Sequence, residues 1–153
     1  MKIRGFEKVI LDKRKYEDLD INLPKRASLN SAGYDFYSPI DVELCPGEQK
    51  IIWTDIKAYM QNDEVLQLHV RSSMGIKRGL LLSNGTGIID QDYYSNCDND
   101  GNIGIAVFNR TNEIVKINEG ERIAQGIFIK YLVADNGNTE DIRNGGIGST
   151  NLK

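Results

Sequence analysis

The residue types best suited to chemistry stand close together in the stretch NGTGIIDQDYY, residues 84–94. Gly85 and Gly87 carry no side chain, so a planar ligand can lie against main-chain N–H and C=O groups. Asp90 follows two apolar residues, and a partly desolvated carboxylate suits a general base. The stretch therefore predicts a ligand pocket with a base, although taken alone it is also typical of an ordinary β-hairpin loop.

Two other stretches carry donors that suit a phosphate. RSSMGIKRG, residues 71–79, puts Arg71 at a strand end and the hydroxyls of Ser72 and Ser73 at the start of a short helical turn, whose N–H groups attract anions. An ordinary serine cap is the alternative for this turn. RNGGIGST, residues 143–150, joins one guanidinium to hydroxyls and to glycines that let backbone donors approach oxygen atoms. The chain contains no Walker or dinucleotide-binding fingerprint.

Two shorter motifs place polar groups beside predicted strands. SAGYD, residues 31–35, sets a glycine, an aromatic ring and the carboxylate of Asp35 just before a strand, and alone it indicates no more than a turn. GERIAQ, residues 120–125, is a turn that leads into a buried strand in which Gln125 is an isolated polar group. These motifs gain meaning only from their order along the chain.

The composition describes one folded domain and excludes several function classes. The chain has 153 residues, 40% of them hydrophobic, which fits a single domain with a substantial core. Its 19 basic and 22 acidic residues give a net charge of -3, so no basic face for nucleic acid is expected. There is no signal-peptide core and no run long enough to span a membrane. Cys45 and Cys97 lack metal-like or redox-like spacing, so we expect two free thiols in a cytoplasmic protein.

Short runs rich in Val, Ile, Leu and aromatic residues must position these motifs. Turn signals separate the runs about every ten residues, which predicts an all-β barrel or sandwich instead of βαβ repeats. Residues 72–78 form the one interior stretch predicted as a short helix. Periodicity is lost after about Asp135, so we expect a barrel domain over residues 1–135 and a flexible glycine-rich arm over residues 136–153. The predicted strands cover residues 8–11, 41–44, 49–53, 65–71, 104–109, 114–117 and 122–131.

Taken in order, the motifs AGYD, RSSMGIKRGL, GIIDQDYY, GERIAQ and RNGGIGST resemble the five motifs of the homotrimeric dUTPases, the dUTP diphosphatases. The resemblance extends over nearly the whole chain, from about Leu23 to Thr150. It implies a distorted jelly-roll β-barrel with a flexible arm, three copies around a threefold axis, and active sites built from several subunits. It also implies hydrolysis of dUTP to dUMP and pyrophosphate, which keeps uracil out of DNA and supplies dUMP for thymidylate synthesis.

The resemblance also assigns roles at the nucleoside end of the substrate. Asp90 deprotonates the water that attacks the α-phosphorus, and Tyr93 packs against the deoxyribose and leaves no room for a 2′-hydroxyl. Backbone donors and acceptors reject cytosine because buried groups would be left unpaired, and lack of space rejects the methyl group of thymine. The residues expected to read the uracil edge are Asn84, Gly87, Ile88, Ile89 and Gly104.

For the triphosphate, the resemblance places Arg143 on the γ-phosphate. The implied metal is Mg²⁺, held mainly by the phosphates and by water, as its hard and strongly hydrated chemistry favours. Asp35 is expected near the metal-bound waters or the sugar end of the site. The other phosphate-binding positions are Arg71, Ser72, Ser73 and Gln125, and the positions in the closing arm are Ile147, Gly148, Ser149 and Thr150.

Two features depart from the family pattern. The family usually has an aromatic residue at the position of Ile147, and isoleucine loses about 1 kcal/mol of stacking over the uracil. We therefore expect the arm to bind the substrate more weakly, in an enzyme that is still active. The stretch from Tyr94 to Asp100, YSNCDND, is longer than the usual connection. It is interpreted either as a polar hairpin loop or as a contact with the neighbouring subunit or the leaving group.

Two rival functions stay open at this point. The related dCTP deaminases share the fold and an Arg-Ser-Ser signature, but they need a glutamate on the strand that follows the substrate hairpin. The matching position here is Ala106, which disfavours deamination. A dUTP-binding sensor or partner-regulating protein would keep the pocket, although a pure binder has no need for the carboxylate of Asp90.

Overall fold

Antiparallel strands dominate the computed structural model, which describes residues 1–137, 139–140, 142–143 and 145–147. Three short helical turns, Leu11–Lys13, Ser73–Lys77 and Gln91–Tyr93, interrupt the strands. The prediction of an all-β fold is confirmed. Within the described residues the strands are β1 (Gly5–Lys8), β2 (Lys25–Arg26), β3 (Tyr34–Tyr37), β4 (Val42–Leu44), β5 (Gln49–Trp53), β6 (Ile56–Tyr59), β7 (Glu64–Val70), β8 (Leu80–Leu82), β9 (Gly87–Asp90), β10 (Gly104–Asn109), β11 (Val115–Ile117) and β12 (Arg122–Lys130).

The strands pair into small sheets, and the chain repeatedly crosses from one sheet to another. The largest sheet has the order β2-β3-β12-β7-β9, and a second has the order β5-β10-β8. The remaining strands form the pairs β1-β6 and β11-β4. Strand β8 lies in a different sheet from its sequence neighbours β7 and β9. This exchange between antiparallel sheets is the architecture of a jelly-roll barrel, as expected.

Alternation along the strands separates the core from the surface. In β10, the side chains of Ile105, Val107 and Asn109 are buried and their neighbours are half-buried. On β7, Leu66 and Leu68 are 0% and 2% exposed. An aromatic cluster then packs β1 against the largest sheet, with neighbouring ring centroids 5.3–5.9 Å apart. Its members are Phe6, Tyr34, Phe36 and Phe128.

The strand predicted over residues 8–11 is wrong. Strand β1 ends at Lys8, and the chain then enters the helical turn Leu11–Lys13. The N–H of Ile10 donates to a carboxylate oxygen of Asp100 at 2.8 Å and not to a neighbouring strand. A side-chain acceptor 90 residues away therefore ends the strand, and no pattern within residues 8–11 could indicate it.

Five strands, β2, β3, β6, β8 and β9, lie outside the predicted runs. They have two to four residues each, and their pairing partners are distant in sequence, as when Ile89 pairs with Leu66. The turn between β8 and β9 contains Gly85 at φ +73°, a conformation that favours glycine. The short helix predicted from Ser72 is confirmed as Ser73–Lys77, but the Ser72 side chain makes no capping hydrogen bond.

Two findings bear on where the protein works. Cys45 and Cys97 both lie within the described residues, and neither forms a disulfide. In the part of the chain that the structure describes, no helix has the length and apolar character needed to cross a bilayer. The expected cytoplasmic location stays a prediction.

A buried carboxylate anchors the start of β7. Glu64 is 3% exposed, and its carboxylate accepts hydrogen bonds from the Nε of Arg4 at 3.0 Å and from the backbone N–H of Gln61 at 3.1 Å. The hydrogen bond from Arg4 lowers the pKa of Glu64 below its ordinary value of 4.5, although burial acts in the opposite direction. The ionised form of Glu64 therefore stabilises the fold.

We expect this contribution to disappear in acid. Because the folded-state pKa of Glu64 is below the unfolded-state value, its stabilisation is present above about pH 4.5 and is lost as the pH falls through the folded-state pKa. The variant Glu64→Gln should have a lower free energy of urea unfolding at neutral pH and a smaller loss on acidification than the unchanged protein. Glu43→Gln, at an exposed ion pair with Lys116, is the control. Equal pH dependence in all three proteins would contradict this assignment.

Candidate active site

Arg71, Ser72 and Ser73 follow the end of β7 and lead into the helical turn. The turn begins where the N–H groups of Met74 and Gly75 bond to the carbonyl of Arg71 at 3.0 and 2.9 Å. Beside it lies an open cavity of about 400 Å³, here called the Arg71 cavity. Its guanidinium, ammonium, hydroxyl and amide groups are all donors, which suits a polyanionic ligand. The cavity is lined by Arg71, Ser72, Ser73, Ile76, Lys77 and Gln125.

A buried carboxylate holds the arginine of this cavity in place. Asp35, on β3, is 4% exposed, and its Oδ1 lies 2.8 Å from the Nε of Arg71. Its Oδ2 lies 3.4 Å from Nη1 of Arg122 at the start of β12. Asp35 thus orients Arg71 from behind the cavity and balances its charge. The predicted role of Asp35 near metal-bound waters stays a prediction.

The SAGYD motif also makes room for Gln125. A Cβ atom added at Gly33 would lie 2.5 Å from Oε1 of Gln125 and 3.2 Å from its Cβ. Strand β12 pairs Gln125 directly opposite Asp35 on β3. The missing side chain at position 33 therefore lets the Gln125 amide extend to the Arg71 cavity.

A second cavity forms between β9 and the start of β10, at two glycines that bring bare backbone to its wall. A Cβ added at Gly87 would meet the Leu68 side chain at 3.0 Å, and one added at Gly104 would meet Ile51 at 2.9 Å. Because each added Cβ would collide with a side chain that also lines the cavity, glycine keeps the backbone bare at both positions of the wall. Its lining includes all the residues predicted to read a uracil edge, Asn84, Gly87, Ile88, Ile89 and Gly104, together with Ala106.

The predicted base lies next to this wall. A smaller adjoining cavity of about 140 Å³, lined by Asp90, Tyr93 and Arg143, shares Ile88, Ile89, Gly104 and Ile147 with the larger one. We call the two together the Asp90 cavity. The carboxylate of Asp90 is 47% exposed, so it is only partly desolvated in the single chain. The structure thus brings together the predicted general base, the ring predicted to face the sugar and the backbone predicted to read the uracil edge.

The described part of the C-terminal arm lies over the Asp90 cavity. Nη2 of Arg143 is 2.6 Å from Oδ2 of Asp90, and its Nε is 2.7 Å from Oδ1 of Asp92. Gly146 packs against the ring of Tyr93, where an added Cβ would be 3.2 Å from the ring atoms. Ile147 lines the same cavity, as expected for a residue that covers the base. The predicted positions Gly148, Ser149 and Thr150 lie outside the described residues.

Tyr93 forms a rigid wall of the Asp90 cavity. The residue is 7% exposed, and its hydroxyl donates to the carbonyl of Asn102 at 2.6 Å and accepts from Nδ2 of Asn99 at 2.8 Å. Burial raises the pKa of Tyr93 above its usual value, so the hydroxyl remains a donor at neutral pH.

The two cavities share no lining residue, and the ladder of the largest sheet explains their separation. Strand β9 pairs Asp90 with Val65 near the start of β7, whereas Arg71 follows the other end of β7. The six residue steps from Val65 to Arg71 span about 20 Å of extended chain. A single chain therefore does not place Asp90 and Arg71 at one phosphate group.

Two residues outside the cavity linings, Arg122 and Asn99, contact Asp35 and Tyr93 and were not predicted. Regular alternation puts residues 122 and 125 on opposite faces of a strand, but a register shift between Arg122 and Ala124 lets Arg122 reach Asp35. Asn99 belongs to the long loop after Tyr93, and its contact with the Tyr93 hydroxyl depends on how that loop folds. The composition of GERIAQ or YSNCDND carries no signal for either contact.

A jelly-roll barrel whose cavities offer bare backbone, a carboxylate and guanidinium groups has the features of a nucleotide-binding protein. The dUTPase family model matches residues 20–152. The deoxyuridine 5′-triphosphate nucleotidohydrolase of Lactococcus lactis is 49% identical over 152 residues, covering 98% of this chain and 99% of the relative. This chain belongs to the dUTPase family.

Solved structures agree with this placement. The dUTPase of Streptococcus mutans superposes with a TM-score of 0.75 at 42% identity, covering 86% of this chain and 99% of that one. A dUTPase variant from phage phi11 of S. aureus, which coordinates a structural Mg(II) ion, superposes with a TM-score of 0.70 over 92% of this chain and 99% of its own. At 22% identity the phage protein supports the fold alone.

The buried pair of Asp35 and Arg71 gives a testable expectation. Asp35→Asn should lower the free energy of unfolding by about 2 kcal/mol, because hydrogen bonds to two guanidinium groups lose their ionised acceptor. It should also raise KM for a nucleoside triphosphate at saturating Mg²⁺. Asp20→Asn, at an exposed ion pair with Lys8, is the control. If Asp35 acts through the metal instead, the variant will show a weaker apparent affinity for Mg²⁺ and an unchanged KM once Mg²⁺ saturates.

Proposed function

We propose that this protein hydrolyses dUTP to dUMP and pyrophosphate, and so keeps uracil out of DNA and supplies dUMP for thymidylate synthesis. One observation carries the proposal: Asp90, Tyr93 and the bare backbone at Gly87 and Gly104 line two adjoining cavities that share four residues. A carboxylate, a sugar-facing ring and a backbone edge are the three parts that a uracil deoxynucleotide requires. Membership of the dUTPase family supports the same activity.

Recognition of the base rests on backbone groups that cannot move. The strand at Gly87–Ile89 and the backbone at Gly104 present fixed donors and acceptors, because side chains of the cavity wall pack closely against each glycine. Uracil satisfies such a pattern, and cytosine reverses a donor and an acceptor and leaves buried groups unpaired. Ile147 covers the cavity through contact alone, without the stacking of an aromatic ring.

The chemical step forms one bond and breaks another at the α-phosphorus. Asp90 accepts a proton from a water molecule, the water oxygen bonds to the α-phosphorus, and the bond to the oxygen bridging the α- and β-phosphates breaks. Pyrophosphate leaves and dUMP remains. A positioned base of this kind contributes about 100- to 10,000-fold to a rate.

Magnesium fits the chain as an ion carried in with the substrate. In the described residues, no group of three or more His, Cys, Asp or Glu side chains is arranged to hold a metal ion. The Arg71 cavity carries two cationic side chains and no carboxylate in its lining, which favours phosphate oxygens as its ligands and leaves the metal mainly to the triphosphate and to water. When bound, Mg²⁺ neutralises charge on the phosphates.

Arg143 must change partners during the reaction. In the structure it neutralises Asp90 and Asp92, with only 17% of its side chain exposed. A triphosphate offers the guanidinium more negative charge and bidentate acceptors. Transfer of Arg143 to the γ-phosphate would free the Asp90 carboxylate for water at the moment when the substrate is covered.

A pyrophosphate-release assay with dUTP, dCTP, dTTP and UTP in the presence of Mg²⁺ tests the proposed reaction. We expect turnover of dUTP alone at a substantial rate, and a loss of about 100- to 10,000-fold in kcat for Asp90→Asn. Calorimetry with dUMP verifies that the variant keeps its pocket. Intact dUTP after incubation with the unchanged protein would contradict the proposal.

A dUTP-binding measurement and an ammonia measurement with dCTP, run beside this assay, separate the two rival functions. A sensor would bind dUTP without turnover in both the unchanged protein and the Asp90→Asn variant. A deaminase would release ammonia from dCTP, but Ala106 lines the Asp90 cavity at the position where such an enzyme needs a carboxylate. The geometry therefore favours the diphosphatase.

We further propose that each active site joins the Arg71 cavity of one copy to the Asp90 cavity of another copy in a homotrimer. The support is the separation of about 20 Å between Asp90 and Arg71 along β7 of one chain. The α-phosphate attacked near Asp90 and the phosphates held by Arg71 belong to a single substrate. A closed ring of three copies brings each cavity to its complement.

Mixing two inactive variants tests this assembly. Asp90→Asn and Arg71→Ala are each expected to inactivate a trimer of identical chains. Every mixed trimer keeps one site with both residues intact. Coexpression in equal amounts should therefore restore about a quarter of the activity of the unchanged protein. A mass measurement in solution verifies the trimer. No recovery from verified mixed trimers would show that each site belongs to a single chain.

A further inference from the structure

The loop from Tyr94 to Asp100 folds over the hydroxyl of Tyr93. Nδ2 of Asn96 donates to the Tyr93 carbonyl at 2.8 Å and to Oδ1 of Asn99 at 2.9 Å. The same Oδ1 accepts from the N–H of Gly101 at 3.0 Å. Because two donors meet this oxygen, the Asn99 amide has one orientation, and its Nδ2 lies 2.8 Å from the Tyr93 hydroxyl.

The end of the loop is anchored by a buried ion pair. Nζ of Lys57 lies 2.9 and 2.8 Å from the two carboxylate oxygens of Asp100, and both side chains are less than 10% exposed. Gly101, at φ +84°, packs so tightly that an added Cβ would be 2.8 Å from the Tyr93 carbonyl. The loop cannot shift without separating two buried charges, which is strongly unfavourable.

These contacts hold the Tyr93 ring from its polar end. The hydroxyl donates to the carbonyl of Asn102 and accepts from Asn99, so the ring cannot withdraw without breaking a buried hydrogen bond. Gly146 of the arm packs against the same end of the ring, where an added Cβ would lie 3.2 Å from the Tyr93 hydroxyl oxygen. The position of this ring sets the width of the Asp90 cavity.

We propose that Asn99 is a positioning residue for sugar discrimination, which fixes the Tyr93 ring where it excludes a 2′-hydroxyl. The inference rests on the proposed function and adds to it the reason for the long loop. Asn99 acts through Tyr93 and does not touch the substrate. Without its hydrogen bond the ring can withdraw, and ribonucleotides enter.

The test compares kcat/KM for dUTP with kcat/KM for UTP in Asn99→Ala and in the isosteric Asn99→Asp. We expect the ratio of kcat/KM for dUTP to kcat/KM for UTP to fall about fivefold or more, which corresponds to the loss of one hydrogen bond. The fall should come mainly from a lower KM for UTP, and kcat for dUTP should stay within about twofold of its value in the unchanged protein. Asn62→Ala and Asn62→Asp, in an exposed turn, are the matched controls and should leave the ratio unchanged. In a Tyr93→Phe background, Asn99→Ala should produce no further fall.

Several outcomes would overturn the inference. These are an unchanged ratio in folded Asn99 variants, an additive effect in the Tyr93→Phe background, or unfolding of both Asn99 variants while the Asn62 controls fold. Calorimetry with dUMP and UMP keeps the two proposals separate. If the unchanged protein leaves dUTP intact, the proposed function fails. A smaller preference for dUMP over UMP in Asn99→Ala would still support the positioning role, and an unchanged preference would overturn it.

Discussion

The pairing of β7 with β12 on one side and with β9 on the other is the constraint on which both cavities depend. It sets Gln125 opposite His69 and Asp90 opposite Val65. The register is held by the core-facing side chains of β7, because a slip of one residue would turn them toward solvent and turn the polar groups inward. Apolar burial in one strand thus decides where the carboxylate and the amide of the site lie.

Several buried carboxylates of the described residues are held in ion pairs, and two of these pairs orient groups beside the cavities. Asp35 holds Arg71, and Asp100 holds Lys57 beneath the loop. In the part of the chain that the structure describes, no buried side-chain nitrogen or oxygen lacks a hydrogen-bond partner. A guanidinium fixed by a buried carboxylate loses little conformational entropy when an anion binds, so the Arg71 cavity is prepared for its ligand.

The loop and the arm approach the Asp90 cavity from two sides. The loop is anchored by buried charge and holds the Tyr93 hydroxyl, whereas the arm lies over the opening and its Arg143 pairs with partly exposed carboxylates. The first arrangement provides a fixed wall. The second depends on contacts that a more strongly charged ligand can replace. The roles proposed for selectivity and for closure therefore fall on different segments.

Sequence alone established the family, the all-β class and the motifs that carry chemistry, because residue type, order and spacing are local properties. It did not reveal the strand end near Ile10, the contact of Arg122 with Asp35, or the hold of Asn99 on Tyr93. The first two depend on a partner distant along the chain or on a register shift, and the third depends on how the long loop after Tyr93 folds. Folding also separated Asp90 from Arg71 along β7, a distance that motif order cannot express. Local patterns specify which groups are present, whereas long-range packing specifies which of them meet.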